Sequence, residues 1–280
     1  MRTDLPGFAD RVALVTGSSR GIGRGIAELF GGQGARVVVN SAGSPVDGRL
    51  VARSIREAGG RAVYVRADVG LEEHVAELAA LVRERFGRLD VLVHCAAGGA
   101  ASPIAEAGYD KFERAMRINS YSLIALARHL GPLMPRGGKV LYLSSMGSIM
   151  ATPGGYGLVG AAKAASEALV RSLAHEFADR GISVNALRTT AVRTLSLRYF
   201  ATADAFLKIA REEAPMGAPP LLKVAETALL LCTPAADYVT GQVVNVDGGW
   251  LSSLHRPDLF GPLHRAGGGH RASTTPKGER

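Results

Sequence analysis

A tyrosine and a lysine lie seven positions apart in the segment PGGYGLVGAAKAASEAL, which spans residues 153–169. The pair is Tyr156 and Lys163. A tyrosine hydroxyl can donate to an oxygen that gains negative charge, and a nearby lysine cation favours the ionised phenol. Positions seven apart on an α-helix differ by about 700°, roughly 20° short of two turns, and share one face. The pair therefore indicates acid–base or oxyanion-binding chemistry in one cleft.

The spacing sets the geometry of this pair. Seven residues separate the two positions by about 10.5 Å along a helix axis, against about 6 Å for four residues. Glycines at positions 154, 155 and 157 flank Tyr156 and disfavour regular helix. We therefore expect Tyr156 to lie just before a helix that carries Lys163.

A glycine-rich segment, VTGSSRGIGRGIAELF, follows the first apolar run of the chain. Gly17, Gly21 and Gly23 have the spacing G-x-x-x-G-x-G, which allows a sharp turn, close approach of a pyrophosphate and packing of a helix on a sheet. The free N–H groups at the start of that helix attract phosphate oxygens. The segment predicts a dinucleotide-binding turn.

The elements that must position these residues alternate along the chain. Seven short β-branched runs predict strands: RVALVTG, ARVVVN, RAVYVRADV, LDVLVHC, GKVLYLSS, GISVNAL and GQVVNVDGG. Most are continuous apolar runs, which is typical of parallel strands covered on both faces. Between them lie helical patterns; one has its buried face at Leu71, Val75, Leu78, Val82 and Phe86 and a stop signal at Gly87. We expect a single-domain, doubly wound α/β fold with about seven parallel strands and helices on both faces.

Composition excludes several classes of protein. The 280 residues are 47% hydrophobic and include two cysteines. No apolar run reaches the length of a membrane span or signal peptide, and two cysteines make no disulfide framework. These features predict a cytoplasmic protein that does not bind membranes.

Net charge is +8, which could serve nucleic acid, an acidic carrier protein or phosphorylated ligands. No basic cluster is interleaved with aromatic residues, so we expect a solvated surface and no nucleic-acid partner. A domain over residues 1–252 is predicted, followed at 253–280 by a basic tail rich in Gly, Pro, His and Arg that is partly disordered. Three tail histidines lack framing Cys or carboxylate residues, so a solvated tail is favoured over a metal site.

The end of the second strand bears on the choice of cofactor. Asn40 and Ser41 stand where an Asp or Glu would select NAD by binding the ribose 2′-hydroxyl. Arg20, inside the glycine loop, could pair with a 2′-phosphate. We therefore expect NADPH rather than NADH; the alternative for Arg20 is a surface arginine without a ligand.

Together these motifs resemble the short-chain dehydrogenase/reductase family over about residues 9–250. The resemblance rests on the glycine loop, Ala67–Val69 (ADV), Asn119, Ser145, the Tyr156–Lys163 pair and Val246–Gly249 (VDGG). Ordinary members place the tyrosine four residues before the lysine, where this chain has Val159. Tyrosine, six residues and lysine is similar to the enoyl-thioester reductase branch, including the NADPH-dependent enoyl-acyl-carrier-protein reductase III type and bacterial enoyl-CoA reductases.

The resemblance implies a Rossmann-type reductase that acts on an α,β-unsaturated thioester of CoA or acyl carrier protein, in bacterial fatty-acid or secondary-metabolite biosynthesis. Hydride from NADPH reaches the β-carbon, and Tyr156 hydrogen-bonds the thioester oxygen as enolate charge develops. Lys163 holds the nicotinamide ribose. The hypothesis is that the seven-residue spacing selects C=C over C=O reduction.

The resemblance also implies roles for two other polar residues. Ser145 could be a second donor to the substrate, or a strand-end hydroxyl that caps local backbone. Asn119 could support a helix bend and a water chain toward Lys163, or be a polar group satisfied within its helix. The implied cofactor contacts are Gly17, Ser19, Arg20, Gly21, Ile22, Gly23, Asn40, Ser41, Asp68, Val69, Cys95, Ala96, Ala97, Tyr156, Lys163, Val192 and Thr194.

Two stretches depart from the family pattern. His94-Cys95-Ala96-Ala97 replaces the usual Asn-Asn-Ala-Gly, and neighbouring strand residues point to opposite faces, so a His–Cys dyad is not expected and both are interpreted as packing. After the sixth strand, Thr189 and Thr190 stand where the family usually has Pro-Gly, and Arg188 before them is unexpected. We expect it to be solvated, with a phosphate of CoA or of a carrier's phosphopantetheine as the alternative ligand.

A substrate lid is predicted near residues 195–222, with Tyr199, Phe200 and Phe206 as apolar walls. Two other functions stay open: a ketoreductase or alcohol dehydrogenase on the same scaffold, and a catalytically silent NADP-binding sensor. The resemblance implies a homotetramer built from helices near Ala115–Met134 and Lys163–Arg180.

Overall fold

A computed structural model describes residues 7–152, 154–194 and 203–252. Seven strands form one parallel sheet in the order β3-β2-β1-β4-β5-β6-β7. The strands are β1 (Val12–Thr16), β2 (Arg36–Ser41), β3 (Arg61–Arg66), β4 (Val91–His94), β5 (Lys139–Ser145), β6 (Ser183–Thr189) and β7 (Val243–Val246). Each overlaps one of the seven apolar runs, with β2 extending past its run to Ser41 and β6 to Thr189, so the predicted parallel sheet is confirmed.

Helices connect the strands. They are α1 (Gly21–Gly32), α2 (Pro45–Glu57), α3 (Glu72–Phe86), α4 (Tyr109–Met116), α5 (Ser122–Leu130), α6 (Gly157–Glu176), α7 (Ala203–Glu213) and α8 (Leu221–Leu231). A π-helical segment, Arg117–Tyr121, joins α4 to α5. No helix among the described residues is long and apolar enough to cross a membrane.

Both faces of the sheet are covered, as the continuous apolar strands predicted. In β1, Ala13 and Val15 belong to one hydrophobic cluster, while Val12 and Leu14 belong to the cluster on the opposite face. All four side chains are essentially inaccessible. Because successive side chains of a strand alternate between faces, only an apolar run can satisfy two cores at once.

Helix α3 follows the centre of its predicted pattern. It buries Val75, Leu78 and Val82, whereas Leu71 precedes the helix and Phe86, its last residue, is half-buried; Gly87 then follows in the left-handed conformation (φ 71°). A residue without a Cβ adopts that conformation at little cost, which explains the stop.

The strand order places a crevice beyond the carboxyl ends of β1 and β4. From β1 the chain runs outward to β2 and β3, and it then returns to β4 on the other side of β1. Ligands of open parallel sheets bind where the order reverses in this way. Part of the predicted lid, including Tyr199 and Phe200, and the tail at 253–280 lie outside the described residues, so the domain boundaries stay a prediction.

Candidate active site

Tyr156 caps helix α6, which begins at Gly157, and so lies just before the helix as its glycine neighbours predicted. Its hydroxyl donates to Oγ of Ser145, the last residue of β5, over 3.0 Å. Burial raises the pKa of Tyr156, and the hydrogen bond with Ser145 acts in the opposite direction. The phenol is therefore protonated at neutral pH and able to donate to a substrate oxygen.

Gly147 makes room for the ring of Tyr156, and Gly160 makes room for the main chain of Gly147. A Cβ on Gly147 would lie 2.6 Å from Cε1 of Tyr156, and a Cβ on Gly160 would lie 2.4 Å from the carbonyl oxygen of Gly147. Both distances are far below an ordinary contact. The ring is thus in contact with the Met146–Ser148 turn, which rests in turn on the first part of α6.

Lys163 lies two turns further along α6 and is 3% exposed. Its Nζ donates to the carbonyl oxygen of Leu143 over 2.6 Å and lies 4.5 Å from the ring centroid of Tyr142. Burial lowers the pKa of Lys163 to about 8, while electrostatic interactions with Cys95 and Glu167 act to raise it. The lysine is a cation at neutral pH, held at the carboxyl end of β5.

Val159 occupies the position four residues before this lysine. Its side chain is 6% exposed, and its Cγ2 would lie 2.7 Å from a Cβ on Gly99, in the segment after β4. The position that carries the tyrosine in ordinary family members is thus packed against an apolar neighbour.

Asn119 lies in the π-helical segment between α4 and α5. Its Nδ2 donates to the carbonyl oxygens of Gly98 and Ala115, over 2.5 and 2.8 Å. Its main-chain oxygen accepts from the hydroxyls of Tyr142 and Ser166. The buried Oδ1 has no hydrogen-bond partner within the described part of the chain. The residue therefore lies at a helix irregularity, as the resemblance implied, and the water chain stays a prediction.

His94 is fully buried between Thr16 of β1 and Ser122, the first residue of α5, and these partners define its tautomer. Thr16 Oγ1 accepts from the N–H groups of Cys95 and Ala96, so its own hydrogen points to Nδ1 of His94, 2.9 Å away. Nε2–H of His94 then donates to Ser122 Oγ over 2.7 Å. Burial lowers the pKa of His94 to about 3, with the charge of Lys163 acting in the same direction.

Cys95 faces the other side of the sheet. It packs against one hydrophobic cluster, while His94 packs on Tyr142 of the other. Burial raises the pKa of the Cys95 thiol to about 12. The prediction that these neighbours form no dyad is confirmed.

The glycine loop has the geometry that a pyrophosphate needs. Gly17 has φ 63°, and a Cβ there would lie 2.6 Å from Cα of Ala96 at the end of β4. A Cβ on Gly23 would lie 2.6 Å from the carbonyl oxygen of Gly17. Helix α1 begins at Gly21 with no side-chain cap, so its first N–H groups face the crevice. These residues fit a dinucleotide.

At the end of β2 the predicted contacts have internal partners. Nδ2 of Asn40 donates to the carbonyl oxygens of Val65 and Ala67, and the side chain is 1% exposed. The hydroxyl of Ser41 lies 3.1 Å from that of Tyr64 and is also buried. Both side chains thus have partners within the protein, and their contact with the cofactor stays a prediction.

Two arginines flank the loop that follows. Arg20 Nη2 donates to Ser44 Oγ over 3.0 Å, and Arg66 Nε donates to the carbonyl oxygen of Ala42 over 3.1 Å. Sequence reasoning missed Arg66 because it sought a second basic residue only after Asn40. Parallel pairing of β2 with β3 sets Arg66 beside Ser41, and that register is visible only in the structure.

The other implied cofactor residues are distributed around the same edge. Ser19 and Ile22 belong to the glycine loop, and Ala97 is exposed just after β4. Asp68 Oδ1 accepts from the N–H of Gly70, next to Val69. A Cβ on Gly21 would contact Thr194 Cγ2 at 3.4 Å, two residues after the buried Val192. The implied contacts thus lie at the carboxyl ends of the strands, and each one stays a prediction.

Arg188 is buried rather than solvated, contrary to the sequence expectation. Its side chain is 10% exposed and pairs with Glu167 of α6 over 2.6 Å. Its Nη1 also donates to Asn245 Oδ1 over 3.1 Å, and the alternative phosphate ligand stays a prediction. The Arg–Glu pair was not visible in the sequence, because it links β6 to α6 over 21 positions.

Comparison with known proteins adds to this geometry. The family model described as enoyl-(acyl carrier protein) reductase matches residues 17–251. The chain is 37% identical to 1-cyclohexenylcarbonyl-CoA reductase of Streptomyces collinus, over 90% of this chain and 91% of that protein. It is 35% identical to the enoyl-(acyl-carrier-protein) reductase (NADH) FabI of Aquifex aeolicus, over 89% and 93%.

Relatives with other names also match. The chain is 32% identical to 7alpha-hydroxysteroid dehydrogenase of Escherichia coli, over 88% of this chain and 96% of that protein. A solved short-chain dehydrogenase from Burkholderia cenocepacia, in complex with NADP, superposes with a TM-score of 0.81 at 26% identity, over 88% of this chain and 99% of that one.

Proposed function

The chain belongs to the short-chain dehydrogenase/reductase family, and we propose that within it this protein is an NADPH-dependent reductase of the C=C bond of α,β-unsaturated acyl thioesters. The observation that carries the proposal is the placement of the acid. The hydroxyl of Tyr156 lies at the start of α6 and donates to Ser145, while the position four before Lys163 holds a buried valine.

NADPH, when bound, supplies a hydride. Addition of that hydride to the β-carbon moves the π electrons onto the thioester oxygen and gives an enolate. The α-carbon of the enolate then takes a proton from water, which leaves hydroxide to be neutralised by the solvent. Tyr156 donates a hydrogen bond to the oxygen as charge develops, and the buried setting strengthens that bond. Ser145 holds the phenol in place, and the cation of Lys163 lies at the same end of β5 to bind the ribose hydroxyls.

The preference for NADPH rests on Arg20 and Arg66. Both guanidinium groups flank the Ala42–Ser44 loop, where a 2′-phosphate would lie. Guanidinium–phosphate pairs are among the strongest hydrogen-bonded contacts in proteins. Arg66→Ala is expected to raise KM for NADPH about tenfold and to leave KM for NADH unchanged, in initial-rate measurements with each cofactor. An equal change for both cofactors would remove Arg66 from the phosphate site.

A ketoreductase on the same scaffold is the second candidate, favoured by the similarity to the hydroxysteroid dehydrogenase. The deciding assay follows NADPH oxidation with crotonyl-CoA and with acetoacetyl-CoA. Reduction of the enoyl substrate, lost by about 100-fold or more in Tyr156→Phe, supports the proposal. The matched control is Tyr238→Phe, because Tyr238 is fully exposed. Turnover of the keto substrate alone would establish the ketoreductase, and NADPH binding without turnover of either would point to the silent sensor.

The assembly proposed with this function is a cytoplasmic homotetramer. An apolar groove on the outer face of α4, α5 and α6 is lined by Met116, Tyr121, Ile124 and Leu169, and covering it with a second copy removes apolar surface from water. Light scattering of the purified protein measures the number of subunits.

A further inference from the structure

The ion pair between Arg188 and Glu167 lies beside the candidate active site. The proposed reaction uses neither side chain directly. Arg188 Nη2 lies 2.6 Å from Glu167 Oε2, and Arg188 Nε lies 3.1 Å from Oε1. The two side chains are 10% and 7% exposed. Arg188 is on β6, and Glu167 is on α6, one turn after Lys163.

The pair contacts both sides of Ser145. Glu167 Oε1 accepts from the hydroxyl of Ser144 over 2.5 Å and lies 2.7 Å from the hydroxyl of Ser148. Arg188 Nε also donates to Ser148 Oγ over 3.1 Å. The Ser148 hydroxyl also lies 2.8 Å from the carbonyl oxygen of Ser145, so its one hydrogen is shared between that oxygen and Glu167. Both ends of the Ser144–Ser148 turn are therefore hydrogen-bonded to one buried carboxylate.

The negative charge of Glu167 maintains its hydrogen bonds with the turn. Burial acts to raise the pKa of Glu167, but hydrogen bonds from Arg188, Ser144 and Ser148 hold it below its ordinary value. The carboxylate is therefore ionised at neutral pH and keeps accepting from both serines. Buried ion pairs contribute little net stability compared with apolar residues of the same volume, so stability alone is a weak explanation for this one.

We propose that Arg188 and Glu167 are positioning residues that hold the Ser144–Ser148 turn where Ser145 accepts from Tyr156. This positioning role rests on the proposed function in one respect, because it takes Tyr156 as the group that donates to the substrate oxygen. The turn contacts both the hydroxyl and the ring of Tyr156, because Ser145 binds the hydroxyl and Gly147 contacts the ring. A turn that relaxes by about 1 Å misplaces the phenol, and misplacement on that scale lowers kcat about 100-fold.

The test uses a volume-conserving double variant, Arg188→Met with Glu167→Met, which removes both charges together. A second variant, Arg188→Lys, keeps the charge and serves as the rescue. The matched control is Lys139→Met, because Lys139 is 1% exposed, pairs with Asp237 over 2.6 Å, and lies at the opposite end of β5.

The first readout needs neither cofactor nor substrate. The protein has seven tyrosines, and labelling their Cζ atoms with carbon-13 gives one NMR signal each; Tyr156→Phe assigns the signal of interest. The double variant is expected to shift this signal toward its position in Ser145→Ala, Arg188→Lys to shift it less, and Lys139→Met to leave it in place. An unshifted signal in the folded double variant would overturn the proposal whatever the activity.

The second readout separates kcat from KM. The double variant is expected to lose 10- to 100-fold in kcat and to keep its Kd for NADPH within threefold, whereas Lys139→Met is expected to keep both. A fall in kcat no larger than the fall in folded fraction would reduce the pair to a structural brace and refute the proposal. If the wild type reduces no thioester but the NMR signal moves, the positioning role stands and the proposed function fails.

Discussion

Substitution of Gly147 by alanine tests the alignment of Tyr156 without removing a polar group. The new Cβ would lie 2.6 Å from Cε1 of the ring, whereas carbon atoms in contact are separated by about 3.5 Å. The ring must therefore move by about 0.9 Å away from the turn that carries Ser145. The hydrogen bond of 3.0 Å then exceeds the length at which it contributes.

A displacement of this size is expected to lower kcat about 100-fold, or about 2.7 kcal/mol in activation free energy. Overpacking should also cost about 1 to 3 kcal/mol of stability. The assay measures kcat with the substrate that the wild type reduces fastest, corrected for the folded fraction by circular dichroism, together with Kd for NADPH. Gly32→Ala is the control, because a Cβ on Gly32 meets nothing within 4 Å. A kcat within threefold of the wild type would show that the contact between ring and turn does not set the position of the acid.

Three further predictions concern the ionisable groups and the end of β1. Because the pKa of Lys163 is lowered to about 8, kcat/KM for NADPH should fall above about pH 8 as the lysine loses its charge, and Lys163→Arg should shift that limb upward. Because the pKa of His94 is lowered to about 3, below its unfolded value, unfolding takes up a proton as pH falls from about 6.5 toward 3. Stability in urea should therefore drop by about 1.4 kcal/mol per pH unit more than in His94→Asn. Thr16→Val leaves two buried N–H groups unpaired and should lower the free energy of unfolding by about 1 to 3 kcal/mol, while Thr16→Ser should keep most of it.

The sheet could be predicted because each of its signals is local. Seven apolar runs, the stop at Gly87 and the glycines around Tyr156 each act within a few residues, and the structure agrees with all of them. Parallel strands bring their carboxyl ends to one edge, so the position of the candidate site followed from the order of the elements.

The polar network could not be predicted because its contacts join distant positions. Arg188 appeared solvated because nothing near it in sequence could pair with it, yet β6 places it against Glu167. The sequence placed Asn40 at the cofactor edge but did not show that the neighbouring strand supplies carbonyl oxygens that hold its amide. Arg66 needed the register of β2 with β3, which no residue pattern specifies.

The two thiols react slowly in the native protein, which makes them probes of its opening. Cys95 in the candidate cofactor cleft and the fully buried Cys232 both have a pKa raised by burial to about 12, so at pH 8 about one thiol in ten thousand is the reactive thiolate. Reaction of the fully buried Cys232 with a disulfide reagent such as Ellman's also requires an opening of the structure, and its rate reports how often the fold opens. Cys232 should report opening of the core, and Cys95 should report opening of the cleft, slowed further by a bound nucleotide. One colorimetric time course could thus separate local opening of the cofactor cleft from unfolding of the whole domain.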